Sequence, residues 1–217
     1  MKSLLVRNSI LASGAVVGWL AVLLQLVLII QNRVTGLTET FIRYFSFFTI
    51  LTNILVAACF SLLWLNRKNF NPPSVLSAPR QTAVAVYILV VGIIYNAILR
   101  FLWSPTGLQQ IVDEVLHLVV PLLYFTYWLL FVNKQSLRWK HAFTWLIYPF
   151  VYLVFILIRG RLATPAYYPY PFVDVSKLGY EKVFVNSLGM LLLFLLLSFI
   201  FVALGRLRTS KKQELTL

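Results

Sequence analysis

Six long apolar stretches, joined by short polar connections, constrain this sequence more than any other feature. They cover residues 10–30, 41–65, 82–103, 113–132, 142–158 and 183–204. A transmembrane helix needs about 20 mostly apolar residues to cross about 30 Å of hydrocarbon. The apolar residues run continuously instead of alternating with polar ones, which disfavours a transmembrane β-barrel. The pattern therefore predicts an all-α polytopic membrane protein with six transmembrane helices.

Composition supports one membrane domain over residues 1–217. Hydrophobic residues make up 60% of the chain and charged residues only 12%, far from the balance of a soluble domain. No polar stretch is long enough to bury a core of its own. We therefore expect a single six-helix bundle with no appended domain.

The charges indicate topology. Nineteen Lys and Arg residues against six Asp and Glu give a net charge of +13, which in a soluble protein suggests nucleic acid. Here most cations fall on the loops that are cytoplasmic if the N-terminus is, and nearly all acids fall on the other side. This asymmetry predicts that both termini are cytoplasmic. The expected partners are bilayer lipids and no nucleic acid, and the oligomeric state stays open.

Strongly polar residues within the apolar stretches gather in the outer half of the predicted helices. At about 1.5 Å of rise per residue, this half holds Thr49, Asn53, Asn96, Arg100 and His117. The inner half offers little beyond isolated Ser, Thr and Tyr residues. Polar groups that face lipid cost several kcal/mol each, so we expect these side chains to turn inward. They predict a polar pocket that opens outward.

Two of the stretches carry residues suited to acyl chemistry. Thr49 and Asn53 share one face of the second helix, and Asp113 lies one turn before His117, where an acid can orient an imidazole. A histidine can remove the proton of a hydroxyl nucleophile, and Asn53 or Asn96 can polarise a carbonyl as oxyanion donors. The alternative is that these residues only join helices through hydrogen bonds. Spacing alone does not show that Thr49 and His117 meet.

The connection over residues 159–181 differs from the other loops because it is rich in proline and tyrosine. This composition predicts an ordered cap at the membrane surface.

Three segments together, "RYFSFFTILTNILVA", "DEVLHLVVPLLYF" and "YPYPFVDV", resemble in order and topology the bacterial six-transmembrane relatives of the androgen-induced and androgen-dependent membrane proteins. The resemblance spans nearly the whole chain and implies a bacterial inner-membrane protein. Animal members of that family are threonine hydrolases of fatty acid esters of hydroxy fatty acids. The family's motifs fall here on Phe48-Thr49, on His117 with Pro121, and on residues 170–172.

The resemblance has two departures. The animal pattern has an acid three residues after the threonine, where this chain has Thr52, and its His-to-Pro gap is one residue shorter than that between His117 and Pro121. Thr52 is therefore the reserve candidate for the nucleophile.

These observations predict an intramembrane hydrolase of lipid esters with Thr49 as nucleophile and His117 as base. The substrate's free carboxylate and its surroundings are expected to meet Arg43, Arg100, Arg159 and Tyr170. No metal or organic cofactor is expected, because the chain has one Cys and two His. The alternative is a non-enzymatic membrane protein, either a small transporter or a lipid-binding module. Substrate chain length, and hydrolysis as against acyl transfer, are left open.

Overall fold

The computed structural model describes residues 2–68 and 73–214, and its fold is all-α. It is 82% helical, and the described residues contain no strand. Six helices are long and apolar enough to cross a membrane: Ser3–Gln31, Phe48–Leu65, Ala78–Phe101, Gly107–Phe131, Trp139–Leu162 and Val175–Arg206. The predicted polytopic helical fold is thus confirmed. Residues 1, 69–72 and 215–217, which the predicted domain includes, lie outside the described residues.

Contacts between residues divide the chain into two compact units. The first unit is Met1–Ser136 and the second is Leu137–Leu217. Four of the membrane-spanning helices belong to the first unit and two to the second. Thr49 and His117 both lie in the first unit.

In the first unit, α1 (Lys2–Gln31) packs along α3 (Phe48–Leu65), and α4 (Ala78–Ala97) packs against α6 (Val120–Phe131). Small residues allow α1 and α3 to approach closely, because a Cβ on Gly18 would lie 3.0 Å from the Cβ of Ala57. Such close contacts between small residues are typical of helices that associate in lipid.

The second apolar stretch is two helices, where a single helix over 41–65 was expected. The first, α2, covers Leu37–Ser46, and Phe47 then adopts an extended conformation with φ −80° and ψ 123° before α3 begins. The Tyr44 hydroxyl donates to the carbonyl of Val22 at 2.5 Å, which ties α2 to α1. As a result, Thr49 lies in the first turn of α3 and not in mid-helix.

The fourth stretch also departs from a regular helix. It comprises α5 (Gly107–Glu114), a π-helical turn at Val115–Val119, which we call the π segment, and α6. Pro121 has no N–H to donate to the carbonyl of His117, so the regular α-helical bonding is interrupted here. Single π turns are rare and are often found at functional sites.

The second unit contains α7 (Trp139–Thr144), α8 (Ile147–Leu162) and α9 (Val175–Glu214). Gly179 interrupts α9 with φ 76°, a conformation that favours glycine. Two hydrogen bonds connect α8 and α9 to the segment between them. The Arg159 guanidinium donates to the carbonyl of Tyr167 at 2.9 Å, and the Asn186 amide donates to the carbonyl of Phe172 at 3.0 Å.

Candidate active site

His117 lies in the middle of the π segment and is 8% exposed. Its Nδ1 lies 2.8 Å from the backbone carbonyl oxygen of Asp113. A carbonyl oxygen can only accept, so in this hydrogen bond Nδ1 carries the proton. In the neutral imidazole, Nε2 then has the free lone pair that a general base needs.

The Asp113 carboxylate does not orient the imidazole as predicted, since the contact comes from the Asp113 backbone. The carboxylate instead accepts from three other side chains, namely the Tyr95 hydroxyl at 3.2 Å, the Trp103 indole at 2.9 Å and the Gln109 amide at 3.3 Å. The Tyr95 ring also stacks on His117, with the ring centroids 3.8 Å apart and the planes 12° from parallel. Tyr95 therefore links the carboxylate to the histidine.

Asn96 on α4 satisfies the carbonyl that Pro121 leaves without its helical partner. The Asn96 Nδ2 donates to the carbonyl of His117 at 3.3 Å and to that of Gly92 at 2.8 Å. Gly92 permits this approach, because a Cβ there would lie 3.2 Å from the carbonyl oxygen of His117. The backbone of the histidine is thus held against α4.

Asn53 on α3 holds the π segment from another helix. Its Nδ2 donates to the carbonyl of Leu116 at 3.3 Å and to the carbonyl of Thr49 at 2.9 Å. One nitrogen therefore joins the first turn of α3, which carries the predicted nucleophile, to the residue that precedes His117.

These contacts change the role expected of the two asparagines. A side-chain amide has two N–H groups, and both asparagines direct theirs at backbone carbonyls, so neither has a donor left for an oxyanion in this arrangement. The amide oxygens of the two asparagines differ in their hydrogen bonding. Asn96 Oδ1 accepts from Arg100 Nε at 3.0 Å. Asn53 is fully buried, and its Oδ1 has no hydrogen-bond partner among the described residues.

Two of the arginines expected to bind a substrate carboxylate are paired with acids of the chain itself. Arg100 makes a bidentate pair with Glu114 at 2.5 and 2.8 Å, and Arg43 pairs with Glu39 at 2.8 Å. Because each guanidinium already faces a carboxylate, the geometry gives no support to this role for Arg43 or Arg100.

Arg159 and Tyr170 belong to the second unit. The Arg159 guanidinium lies over the ring of Tyr167, 4.7 Å from its centroid, and the Tyr170 ring stacks on Phe172 at 5.3 Å. Their role in substrate binding stays a prediction.

The two threonine candidates differ in position and exposure. Thr49 is the second residue of α3 and is 8% exposed, whereas Thr52 is fully buried. The first turn of a helix carries a partial positive charge that favours nearby negative charge. Position in the helix therefore favours Thr49 over Thr52 as a hydroxyl that ionises during a reaction.

Sequence reasoning missed part of the network around His117, which we call the histidine cluster: Asn53, Tyr95, Asn96, Arg100, Trp103, Gln109, Asp113, Glu114 and His117. Tyr95 and Trp103 look like ordinary interfacial aromatics in the sequence. Gln109 lies before the predicted fourth helix, and its amide also donates to Gln25 at 2.8 Å. Helical spacing is the sequence signal that could have identified Gln109, because Gln109, Asp113 and His117 recur every four residues and so share one helix face.

A few polar side chains also lie buried in the other half of the helices. A second buried network, which we call the lysine cluster, comprises Gln81, Thr82, Tyr124, Tyr127, Trp128 and Lys134. The Lys134 ammonium donates to the carbonyls of Trp128, Leu129 and Val132 at 2.8, 3.1 and 2.9 Å. Gln81 and Lys134 lie just outside the predicted stretches 82–103 and 113–132, yet they are only 9% and 7% exposed.

Metal binding has no obvious centre here. Among the side chains that the structure describes, no three from His, Cys, Asp or Glu lie close enough together to hold a metal ion.

Comparison of the chain with protein-family models, with curated proteins and with solved structures gave no match. The family resemblance of the three segments therefore stays a prediction.

Proposed function

We propose that this membrane protein is an intramembrane hydrolase of lipid esters, with Thr49 as nucleophile and His117 as general base. The observation that carries the proposal is the Asn53 amide, which donates to the carbonyls of both Thr49 and Leu116. This contact holds the first turn of α3 beside the segment that carries the imidazole. The proposed protein has both termini in the cytoplasm and resides in a bacterial inner membrane.

In the proposed reaction, His117 Nε2 removes the hydroxyl proton of Thr49 as its oxygen attacks the ester carbonyl. The tetrahedral intermediate collapses, the alcohol leaves with the proton from His117, and the acyl group remains on Thr49. Water then attacks the acyl-threonine, giving its proton to His117, and the freed threonine oxygen takes that proton back. The N-terminal dipole of α3 favours the negative charge on the intermediate.

The charged part of the histidine cluster supports this chemistry electrostatically. The Asp113 carboxylate accepts from Tyr95, whose ring stacks on the imidazole. An anion and an aromatic face near the ring both favour the imidazolium that forms in each half-reaction. The substrate class follows from the setting, because an active site within apolar helices is reached by molecules that dissolve in the bilayer.

A proton-linked carrier is the second candidate, because an intramembrane group of His, Asp, Glu and Arg is typical of such proteins. The arrangement of residues along the helices of the first unit disfavours a carrier. Along α4 and α6, the buried apolar residues Ile88 and Val120, 0% and 1% exposed, lie between residues of the histidine cluster and residues of the lysine cluster. They interrupt a polar path along these two helices.

The test is turnover of fatty acid esters of hydroxy fatty acids by the purified full chain in lipid nanodiscs. We expect Thr49→Ala and His117→Ala each to lower kcat/KM by about 10²-fold or more, as loss of a nucleophile or base does. The matched control is Thr52→Ala, which removes a hydroxyl one turn further along the same helix and should keep most of the activity.

Labelling provides a second readout of the nucleophile. A fluorophosphonate probe should modify wild-type protein and Thr52→Ala on Thr49, as read by peptide mass. Activity that survives Thr49→Ala but disappears in Thr52→Ala would transfer the role to Thr52. If folded wild-type protein turns over no lipid ester, the hydrolase proposal fails.

A further inference from the structure

The amide oxygen of Asn53 is an acceptor whose orientation is fixed and whose bonding capacity is unmet. Both N–H groups of this amide point at carbonyl oxygens, so rotating the amide by 180° would set its oxygen against the carbonyls of Thr49 and Leu116. In the native orientation Oδ1 is buried and has no partner among the described residues. Native proteins rarely leave such an atom unsatisfied, and bound water or a ligand is the usual partner.

We infer that Asn53 Oδ1 accepts a hydrogen bond from a water molecule bound at the histidine cluster, and that this water is the one that cleaves the acyl-threonine. The catalytic half of this statement rests on the proposed function. The water site itself rests only on the fixed and unsatisfied amide of Asn53.

The number of hydrogens distinguishes water from an alcohol as the attacking group. The attacking oxygen must give one hydrogen to His117 Nε2, the nitrogen left free by the bond from Nδ1 to Asp113. An oxygen that also donates to Asn53 Oδ1 needs a second hydrogen, which water has and an alcohol lacks. The pair of acceptors therefore selects hydrolysis over acyl transfer.

The proposed step is balanced. The water oxygen bonds to the acyl carbon, one water proton goes to His117 Nε2, and the other stays hydrogen-bonded to Asn53 Oδ1. The bond between the acyl carbon and the Thr49 oxygen then breaks, and that oxygen receives the proton from His117. The products are the free fatty acid and the original enzyme.

Asn96 provides a matched control for Asn53. Like Asn53, it donates from Nδ2 to a carbonyl of the π segment, but its Oδ1 already accepts from Arg100. Asn96→Leu removes a tether of the histidine without removing an unsatisfied acceptor. Asn53→Leu removes both, so a change in the partition between water and alcohol that occurs in Asn53→Leu and not in Asn96→Leu is assigned to the acceptor.

The first experiment needs no activity. A high-resolution experimental structure of the full chain in lipid should show an ordered water within about 3 Å of Asn53 Oδ1. A protein donor on that oxygen, or an empty site, would overturn the inference. This readout stands even if the chain turns over no ester, so failure of the hydrolase proposal is distinguished from failure of the water site.

The second experiment separates acylation from deacylation. With an ester that releases a chromophoric alcohol, Asn53→Leu should give a burst of alcohol and then a steady rate about tenfold or more below wild type, with acyl-Thr49 seen by intact mass. In ¹⁸O-water the wild type should place one ¹⁸O in the released acid. Added primary alcohol should capture a larger share of acyl groups in Asn53→Leu than in wild type.

Asn96→Leu should slow both phases together and accumulate no acyl-enzyme. Equal behaviour of the two variants, or an unchanged partition between water and alcohol in Asn53→Leu, would reduce Asn53 to a tether of the π segment. That result would overturn its proposed role toward water.

Discussion

The two buried polar clusters of the first unit differ in how far their hydrogen bonding is satisfied. In the lysine cluster, the three N–H groups of Lys134 meet three carbonyls at the end of α6, and the Trp128 indole donates to Thr82 at 2.9 Å. In the histidine cluster, Asn53 Oδ1 has no partner among the described residues. Burial of polar groups in a membrane protein therefore does not by itself mark a site. Unmet bonding capacity is what distinguishes the histidine cluster from the lysine cluster.

The contacts of the lysine cluster indicate a structural role. A cation at the C-terminal end of a helix satisfies carbonyls that lack intrahelical partners and complements the helix dipole. The Lys134 ammonium also lies 4.4 Å from the centroid of the Trp128 ring, which adds a cation–π contact. An ammonium with these partners has little left to offer a ligand.

The largest effects are expected when the central residue of each cluster, Lys134 or His117, is replaced. Lys134→Met should lower the free energy of unfolding by about 2 kcal/mol, because it leaves buried carbonyls without donors, while kcat per folded molecule stays near wild type. His117→Ala should do the reverse, removing turnover with a smaller loss of stability. Thermal unfolding and ester turnover, measured on both variants in nanodiscs, check this. A Lys134→Met protein that is stable but inactive would contradict the structural assignment.

A smaller effect is expected at the contact between α4 and the π segment. In Gly92→Ala the new Cβ would lie 3.2 Å from the carbonyl oxygen of His117 and 3.3 Å from Pro121 Cβ, so the histidine backbone must shift. We expect kcat/KM to fall about tenfold, which corresponds to about 1.4 kcal/mol.

The control for this glycine is Gly189→Ala, where a Cβ would meet nothing within 4 Å. It should leave stability and turnover unchanged or slightly improved, because alanine favours helix. If Gly92→Ala behaved like Gly189→Ala, the close approach of α4 would have no bearing on the placement of His117.

The smallest effect is expected from the outermost donor to Asp113. Trp103→Phe keeps an aromatic ring but removes the indole N–H that lies 2.9 Å from the carboxylate. One hydrogen bond to a carboxylate that keeps two others is worth about 1 kcal/mol, so kcat/KM should fall a few-fold. The matched comparison is Tyr95→Phe, which removes one donor and keeps the ring beside His117. A larger loss in Trp103→Phe than in Tyr95→Phe would show that the indole has another role.

Hydropathy predicted the number of membrane-spanning helices, but it did not predict where the chain departs from a regular α-helix. The break at Phe47 and the π segment occur within continuous apolar runs, where composition does not change. Pro121 indicated a disturbed carbonyl at His117, and the structure adds the Asn96 amide that satisfies it. The sequence named five residues of the candidate site: Thr49, Asn53, Asn96, Asp113 and His117. It did not predict that the N–H groups of both asparagines bond to backbone carbonyls, or that the Asp113 carboxylate accepts from side chains other than His117.

The sequence by itself determined that this chain is an all-α membrane protein, because six apolar runs of sufficient length leave the backbone no other way to satisfy its hydrogen bonds in lipid. Only the tertiary structure decided which buried polar groups are satisfied and which, such as Asn53 Oδ1, are not. That outcome depends on distances between atoms of different helices, such as the Asn53 amide and the carbonyl of Leu116, and helical spacing carries no information about them.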